Sequence, residues 1–245
     1  MSKASFVLFD CWDTVITYRV SNPQWMAERL LDNCDNTENR SAQEITEFFF
    51  NLMDEYYRTM NDFDSSIGPL LNYLCIAMGL KPKMSIDRLQ SEVLEGQYEP
   101  EPLPGLKDIM DFLDRHGIGY AVASNTVYGA QGTKAHIDGC YPNNHLAFVM
   151  ASSEVAVKKP NPRFFQTAAK IAGKKPADCI YIGDNFFADV FGSQRSGFHA
   201  SVWYNRRDEY PPFEYHHEIP TTLKYYEIHE YHELLPILEK ELAIK

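Results

Sequence analysis

Hydrophobic and polar positions change sharply at the start of the chain. The apolar run from Val7 to Phe9 ends on a carboxylate, Asp10. A short apolar run of this kind predicts a strand buried on both faces, as in a parallel sheet. Ligands of open α/β sheets bind at the carboxyl ends of the strands, so Asp10 stands where a functional group is expected. A simple turn role for this aspartate is the alternative, since Asp is a common turn residue.

The pattern becomes helical between about residues 21 and 99. Ser41 and Glu44 form a capping-box sequence, and an amphipathic run from Ile45 to Tyr56 follows them. Further helices are predicted around residues 25–31, 67–78 and 85–96. The proline-rich stretch 99–105 is interpreted as a stiff return linker. We therefore predict a helical module over residues 18–100, inserted into a core made of residues 1–17 and 101–245.

Strand and helix patterns alternate beyond this linker. The predicted strands cover residues 118–123, 146–150, 179–182, 198–204 and 225–228, and the predicted helices cover residues 106–116, 131–137, 161–172, 188–195 and 231–242. Strands that alternate with helices pair in parallel through crossover connections. The sequence thus predicts an α/β fold built on a parallel sheet.

Composition and charge narrow the class of protein. Hydrophobic residues make up 44% of the chain and the formal net charge is −11. The apolar content is enough for a real core, and the acidic balance argues against a general nucleic-acid binder, which needs a basic face. The five cysteines are scattered without a CxxC spacing, which fits a reducing compartment. With no apolar run long enough to span a bilayer and no signal-like start, we expect a cytoplasmic protein.

Three predicted strands end in polar residues: Asp10, the pair Ser124–Asn125, and Asp184. Lys158 follows a fourth strand, and all these strand ends share one edge of a parallel sheet. Converging carboxylates repel each other unless a cation lies between them, and an oxygen-lined site with few protein ligands suits Mg²⁺ together with a substrate phosphate. The sequence therefore predicts phosphoryl transfer to a carboxylate, with a small phosphorylated molecule as the substrate.

These motifs resemble those of the haloacid dehalogenase-like (HAD) hydrolases. The family's Asp-x-Asp-x-Thr motif is matched, with one departure, by Asp10 to Thr14, and its strand ending on Ser or Thr is matched by Ser124. Its lysine before proline is matched by Lys158-Lys159-Pro160, and its Gly-Asp motif with a later acid is matched by Gly183-Asp184 and Asp189. Four motifs in order are a strong signal, although each alone is weak. The resemblance implies a Rossmann-like parallel sheet with helices on both faces and an α-helical cap over residues 18–100.

The resemblance also implies metal ligands. Asp10 would be both the nucleophile and a Mg²⁺ ligand, the backbone carbonyl of Trp12 a second ligand, and Asp184 a third. Asp189 would support the metal shell.

The remaining implied roles concern the substrate. Ser124 would bind the transferred group with help from the backbone of Asn125. Lys158 would neutralise Asp10 and the phosphoryl oxygens. Lys159 is the competing candidate for this lysine, and the spacing favours Lys158 only slightly.

Trp12 departs from the family pattern. Phosphatases of the family carry an aspartate there as general acid and base, a role worth about 10²–10⁴-fold in rate. Trp12 cannot carry that proton and is expected to line the substrate pocket, and Asp13 stands one residue further on, where the family usually has glycine. The main prediction is a Mg²⁺-dependent phosphatase of small phosphate esters. The alternatives are a 2-haloacid dehalogenase, which has an aromatic residue at that position, and a HAD-scaffold binding or regulatory protein with low turnover.

Overall fold

The chain divides into two compact units in a computed structural model that describes residues 3–19, 22, 24–60, 62–96, 98–207 and 223–244. One unit, here the core unit, joins Met1–Thr17 to Pro100–Lys245, and the other, the helical unit, is Tyr18–Glu99. The boundary between them falls inside two strands, β2 and β5, whose bounds are given next.

The strands in the described residues are β1 Phe6–Phe9, β2 Ile16–Arg19, β3 Cys34–Asn36, β4 Leu80–Pro82, β5 Glu99–Pro102, β6 Gly119–Ser124, β7 Val149–Ala151, β8 Cys179–Gly183, β9 Ala200–Tyr204 and β10 Tyr226–Ile228. The α-helices are α1 Trp25–Asn33, α2 Ala42–Thr59, α3 Ile67–Ala77, α4 Ile86–Leu94, α5 Leu106–Arg115, α6 Gly129–Cys140, α7 Ser152–Val155, α8 Pro162–Ile171, α9 Gly192–Arg195 and α10 Leu234–Leu242. A π-helix covers Phe186–Phe191, and short 3₁₀ turns cover Pro176–Asp178 and Tyr231–Glu233.

A six-stranded sheet forms the centre of the core unit, in the order β10-β9-β8-β1-β6-β7. Its strand pairs are parallel, and β1 lies between β6 and β8, with Phe9 opposite Val122 on one side and Ile182 on the other. Every residue of β1 is buried, as the uninterrupted apolar run requires. This Rossmann-like α/β sheet confirms the predicted fold class.

Two apolar clusters cover the two faces of this sheet. Val7 and Phe9 pack with residues of α5 and α10 on one face. Leu8 packs with Phe164 and Phe165 of α8 on the other face. Because side chains alternate along a strand, the short run Val7–Phe9 contributes to both clusters and places Asp10 at the end of a fixed strand.

The helical unit contains α1 to α4 and a small antiparallel pair, β3 with β4. The predicted capping box is present at the start of α2: the Ser41 hydroxyl accepts from the Glu44 amide at 3.2 Å, and the Glu44 carboxylate accepts from the Ser41 amide at 2.8 Å. Further along, the Tyr56 hydroxyl donates to Asp64 at 2.7 Å. These contacts fix both ends of the longest helix in the unit.

Some local elements differ from the sequence-based expectation. The stretch 99–105, interpreted as a linker, begins with strand β5, which pairs with β2. Proline has no backbone N–H to donate to a neighbouring strand. Pro100 and Pro102 are tolerated because both strands of this small sheet are edge strands, where such a donor can be absent. The predicted helix 188–195 begins earlier, as a π-helix. Among the described residues, no helix combines the length and the apolar character that crossing a membrane requires.

Candidate active site

Three carboxylates meet at the carboxyl edge of the sheet. Asp10 follows β1, where its amide donates to the Ile182 carbonyl of β8 at 2.8 Å. Asp184 follows β8 directly, and one oxygen of each of Asp10, Asp184 and Asp189 lies within 4.8 Å of the others. The structure thus brings together the three acids that the sequence singled out.

Asp189 reaches this cluster because the chain after β8 forms a π-helix. Its carboxylate accepts from the Asn185 amide at 2.9 Å, and the Asn185 side chain caps the turn by accepting from the Ala188 amide at 2.8 Å. A Cβ on Gly183 would lie 2.3 Å from the Asp189 carboxyl carbon, which is far below van der Waals contact. The glycine is therefore required for Asp189 to fold back over the end of β8.

Lys159, rather than Lys158, supplies the ion pair of this site. Its ammonium lies 2.7 Å from Asp10 Oδ1 and 2.6 Å from Asp189 Oδ1, and its side chain is 3% exposed. The Asn125 side chain fixes the Lys159 backbone, because Oδ1 accepts from the Lys159 amide at 2.9 Å and Nδ2 donates to its carbonyl at 3.2 Å. The sequence favoured Lys158 slightly, whereas the ammonium that meets Asp10 and Asp189 is that of Lys159, so Lys159 is the lysine carried into the proposed reaction.

Burial and mutual repulsion set the protonation of the acids when no cation is present. Burial raises the pKa of Asp184 to about 8, and the neighbouring Asp10 and Asp189 add to the effect. Burial also raises the pKa of Asp189, to about 6, although Lys159 opposes the change. Burial alone would lower the pKa of Lys159, but Asp10 and Asp189 more than offset it, so this pKa is raised and the lysine is charged.

Ser124 ends β6 and is buried, with 1% of its surface exposed. Its hydroxyl has no hydrogen-bond partner among the described residues. A buried hydroxyl without a partner is costly, so this group is available to a ligand. The backbone of Asn125 was predicted to bind substrate. Its side chain forms hydrogen bonds with the backbone of Lys159.

Trp12 belongs to an aromatic cluster. Its ring centroid lies 5.8 Å from that of Tyr128 and 5.6 Å from that of His136. The indole therefore packs towards α6 and the loop before it, and it contributes no acid.

Asp13 adopts a left-handed backbone conformation with φ of 56°. This explains why glycine suits the position in the family. The carboxylate accepts from Thr17 at 2.8 Å, from Arg206 at 2.7 Å and from Arg207 at 2.8 Å. Both carboxylate oxygens of Asp13 are thus engaged by donors from Thr17 and the two arginines, which directs the side chain towards Arg206 and Arg207.

Arg206 and Arg207 were missed at the level of sequence. They come just after β9, so the signal that identified Asp10, Ser124 and Asp184, a polar residue at the end of a predicted strand, applies to them as well.

The family model of the haloacid dehalogenase-like hydrolases matches residues 5–197, which include every residue of the acidic cluster and Lys159. The chain belongs to this family.

Individual relatives match shorter segments. The N-acylneuraminate-9-phosphatase of Homo sapiens is 28% identical over 81 residues, which is 33% of this chain and 33% of that protein. The chain thus matches about a third of the length of this curated relative. Among solved structures, a HAD phosphatase from Thermococcus onnurineus is similar with a TM-score of 0.65 at 21% identity, over 98% of this chain and 99% of that one. A 2-haloacid dehalogenase from Pseudomonas syringae has a TM-score of 0.65 at 18% identity, over 97% of this chain and 99% of that one. These two structural likenesses show the shared fold.

Proposed function

We propose that this HAD hydrolase is a Mg²⁺-dependent phosphatase of small phosphate esters, with Asp10 as the nucleophile. The observation that carries the proposal is the grouping of Asp10, Asp184 and Asp189 within 4.8 Å at the end of the sheet. A dehalogenase acting through carbon needs no such group of acids, whereas a phosphatase uses it to hold a cation against the substrate phosphate.

The residues fit a magnesium ion. Among the described residues, two of the three carboxylates, Asp10 and Asp189, are paired with the ammonium of Lys159, so acidic groups outnumber basic ones in this buried cluster. Oxygen ligands and few of them are what Mg²⁺ prefers, since it retains several waters and binds together with phosphate. Asp10, Asp184 and the Trp12 carbonyl would hold the ion and Asp189 would support its shell. The bound ion would supply charge stabilisation to the phosphoryl oxygens.

The protein's own groups account for the rest of the reaction. An oxygen of Asp10 attacks phosphorus and the bond to the ester oxygen breaks, which leaves an aspartyl phosphate and an alkoxide. The alkoxide takes a proton from solvent water and departs as the alcohol. Water then attacks the phosphorus of the aspartyl phosphate, releasing inorganic phosphate and regenerating Asp10. Lys159 neutralises the nucleophile and the transferred group, and the partnerless hydroxyl of Ser124 donates to a phosphoryl oxygen, together with the Asn125 backbone.

One observation favours a second candidate. The residue two positions after the nucleophile is Trp12, which packs among aromatic rings, and both oxygens of Asp13 are engaged by two arginines. Neither supplies the proton that an alkoxide leaving group needs. A 2-haloacid dehalogenase releases halide, which needs no proton, so this activity is the second candidate.

The test is phosphate release from p-nitrophenyl phosphate with Mg²⁺ and with EDTA. Activity that requires Mg²⁺ and is lost in Asp10→Asn, but not in the control Asp108→Asn on the exposed face of α5, supports the proposal. Chloride release from 2-chloropropionate without metal, in the absence of phosphatase activity, supports the dehalogenase. Inactivity in both assays contradicts both enzymes and favours a scaffold that binds without turnover.

The expected location is the cytoplasm. All five cysteines are free and four of them are buried, which suits a compartment where thiols stay reduced. The expected partner is a small phosphorylated molecule, and the acidic net charge of −11 argues against nucleic acid.

A further inference from the structure

Two arginines share one carboxylate next to the acidic cluster. Nη2 of Arg206 donates to Asp13 Oδ1 at 2.7 Å, and Nη2 of Arg207 donates to Asp13 Oδ2 at 2.8 Å. The pair carries two positive charges against one negative charge. One positive charge is therefore left without compensation from Asp13.

Most donors of both guanidinium groups remain unused. Each arginine makes its hydrogen bond to Asp13 through one nitrogen, and in residues 3–207 and 223–244, as far as these are described, neither makes another hydrogen bond or ion pair. Their side chains are 34% and 59% exposed, so the free N–H groups reach solvent. A guanidinium group has five donors in a fixed fork that matches a carboxylate or a phosphate.

The arginines also line a recess shared with the acidic cluster. Its walls are Asp13, Asp184, Tyr204, Asn205, Arg206 and Arg207, and all of them belong to the core unit. The recess has a volume of about 20 Å³, which is room for about one water, so an anion would meet the two guanidinium groups at its mouth, where they are exposed. Asp184 is one of the acids that would hold the metal, so an anion at the mouth of this recess would lie on the same side of the site as the proposed metal.

We propose that Arg206 and Arg207 bind a second anionic group of the phosphorylated substrate, either a carboxylate or a second phosphate, with Asp13 as their built-in counterion. The inference rests on the proposed phosphatase function and narrows its substrate class to esters that carry another negative charge. A chain with a net charge of −11 repels such molecules at long range, and a local pair of arginines offsets that repulsion where the substrate binds.

The first experiment compares matched substrates. One pair is glycerate 3-phosphate with glycerol 1-phosphate, which differ by a carboxylate, and the other is fructose 1,6-bisphosphate with fructose 6-phosphate, which differ by a phosphate. The readout is the ratio of kcat/KM within each pair, and the pair with the larger ratio identifies which anion the two arginines bind. In Arg206→Gln and in Arg207→Gln, the ratio is expected to fall about tenfold, equivalent to about 1.4 kcal/mol. Arg163→Gln, which changes an exposed arginine of α8, is the matched control and should leave the ratio as it is.

The Asp13→Asn variant tests the direction in which the kcat/KM ratio changes. Removing the counterion's charge frees the arginines, so the same ratio should rise. If the arginines only held the loop around Asp13, replacing Asp13 and replacing either arginine would disturb the loop alike, and the ratio would change in the same direction in all these variants. An unchanged ratio in the arginine variants, or a change of the same direction in Asp13→Asn, overturns the inference.

Binding separates this inference from the proposed function. In Asp10→Asn, calorimetry gives Kd values for glycerate 3-phosphate and glycerol 1-phosphate without turnover. If the wild-type protein releases no phosphate from any ester, the phosphatase proposal fails. The anion site is still supported if glycerate 3-phosphate binds with a lower Kd than glycerol 1-phosphate and this difference is lost when Arg207→Gln is added. Equal Kd values for the two probes and for the two members of the fructose pair overturn it.

Discussion

The ammonium of Lys159 lies 2.7 Å from Asp10, in a place where its side chain is almost completely excluded from solvent. The same ammonium lies 2.6 Å from Asp189. One cation thus balances the proposed nucleophile and the acid that would support the metal. Removing one partner of such a buried group leaves uncompensated charge behind, which is strongly destabilising as well as damaging to chemistry.

We expect Lys159→Gln to lower phosphatase kcat by at least about 10²-fold, because it removes a charge aimed at the transferred group. Lys158→Gln should have a much smaller effect. Thermal unfolding of both variants, with and without Mg²⁺, separates lost chemistry from lost folding. A larger loss of kcat in Lys158→Gln than in Lys159→Gln would contradict the assignment of the lysine.

Trp12→Asp should raise turnover of alkyl phosphates by about tenfold or more, because a general acid is worth about 10²–10⁴-fold where it is well placed. Aryl phosphates should gain less, since their leaving groups depart without a proton. The measurement is kcat for glycerol 1-phosphate and for p-nitrophenyl phosphate in each variant. Trp12→Phe keeps an aromatic ring without an acid and is the matched control. Equal gains on both esters would count against the missing general acid at position 12 as the factor that limits turnover of alkyl phosphates.

Gly183→Ala should displace Asp189, because the new Cβ would lie 2.3 Å from its carboxyl carbon. Overpacking of this kind costs about 1–3 kcal/mol of unfolding free energy, and the Mg²⁺ requirement of the enzyme should shift to higher concentration. Denaturant unfolding and Mg²⁺ titration of activity measure the two effects.

Gly139→Ala is the control for this change. Gly139 lies in α6, and nothing within 4 Å opposes a Cβ there. The substitution should be neutral or should stabilise the protein by about 0.5–1 kcal/mol. A destabilisation equal to that of Gly183→Ala would argue against the clash as the cause.

The metal-free protein should lose stability as pH rises. The pKa of Asp184 is about 8 when folded against an ordinary 3.8, so between these values the folded state holds a proton that the unfolded state has released. Stability falls with pH wherever the folded state binds more protons, so the loss accumulates from about pH 4 to about pH 8. Asp189, with a pKa of about 6, acts in the same direction.

Unfolding in denaturant with EDTA, at a series of pH values, measures this loss. Asp184→Asn removes the titrating group and should flatten the profile, and Mg²⁺ should offset the loss in the wild-type protein by binding the folded state. A profile in EDTA that rises over the same range in the wild-type protein, or that keeps its slope in Asp184→Asn, would contradict the role given to this acid.

The strand ends were readable from the sequence because a buried parallel strand has a simple signature. Asp10, Ser124 and Asp184 each follow an apolar run, and parallel pairing brings the ends of such runs to one edge. The sheet and the meeting of Asp10 with Asp184 follow from that pattern, whereas Asp189 was expected from the family resemblance. The same reasoning extended to β9 would have drawn attention to Arg206 and Arg207.

Other features depend on geometry that periodicity does not encode. Lys158 and Lys159 are adjacent and chemically identical, and the folded structure distinguishes them by the ion pairs of Lys159 and by the two hydrogen bonds between its backbone and the Asn125 side chain. The π-helix that returns Asp189 to the site differs from an α-helix in its hydrogen bonding, which the apolar spacing leaves open. Aspartate adopts the left-handed backbone of Asp13 more often than most non-glycine residues, but still uncommonly, so the residue type alone does not reveal it.

The central place of β1 has a consequence for synthesis on the ribosome. This strand is made first, yet one neighbour begins at Gly119 and the other at Cys179, and the Thr14 carbonyl beyond it accepts a hydrogen bond from the hydroxyl of Tyr231. At about 5–20 residues per second, the nascent chain carries its most apolar strand without either neighbour for on the order of ten seconds. Asp10 is therefore synthesised early but reaches its final surroundings late. During that time β1 lacks its neighbouring strands and needs protection by chaperones.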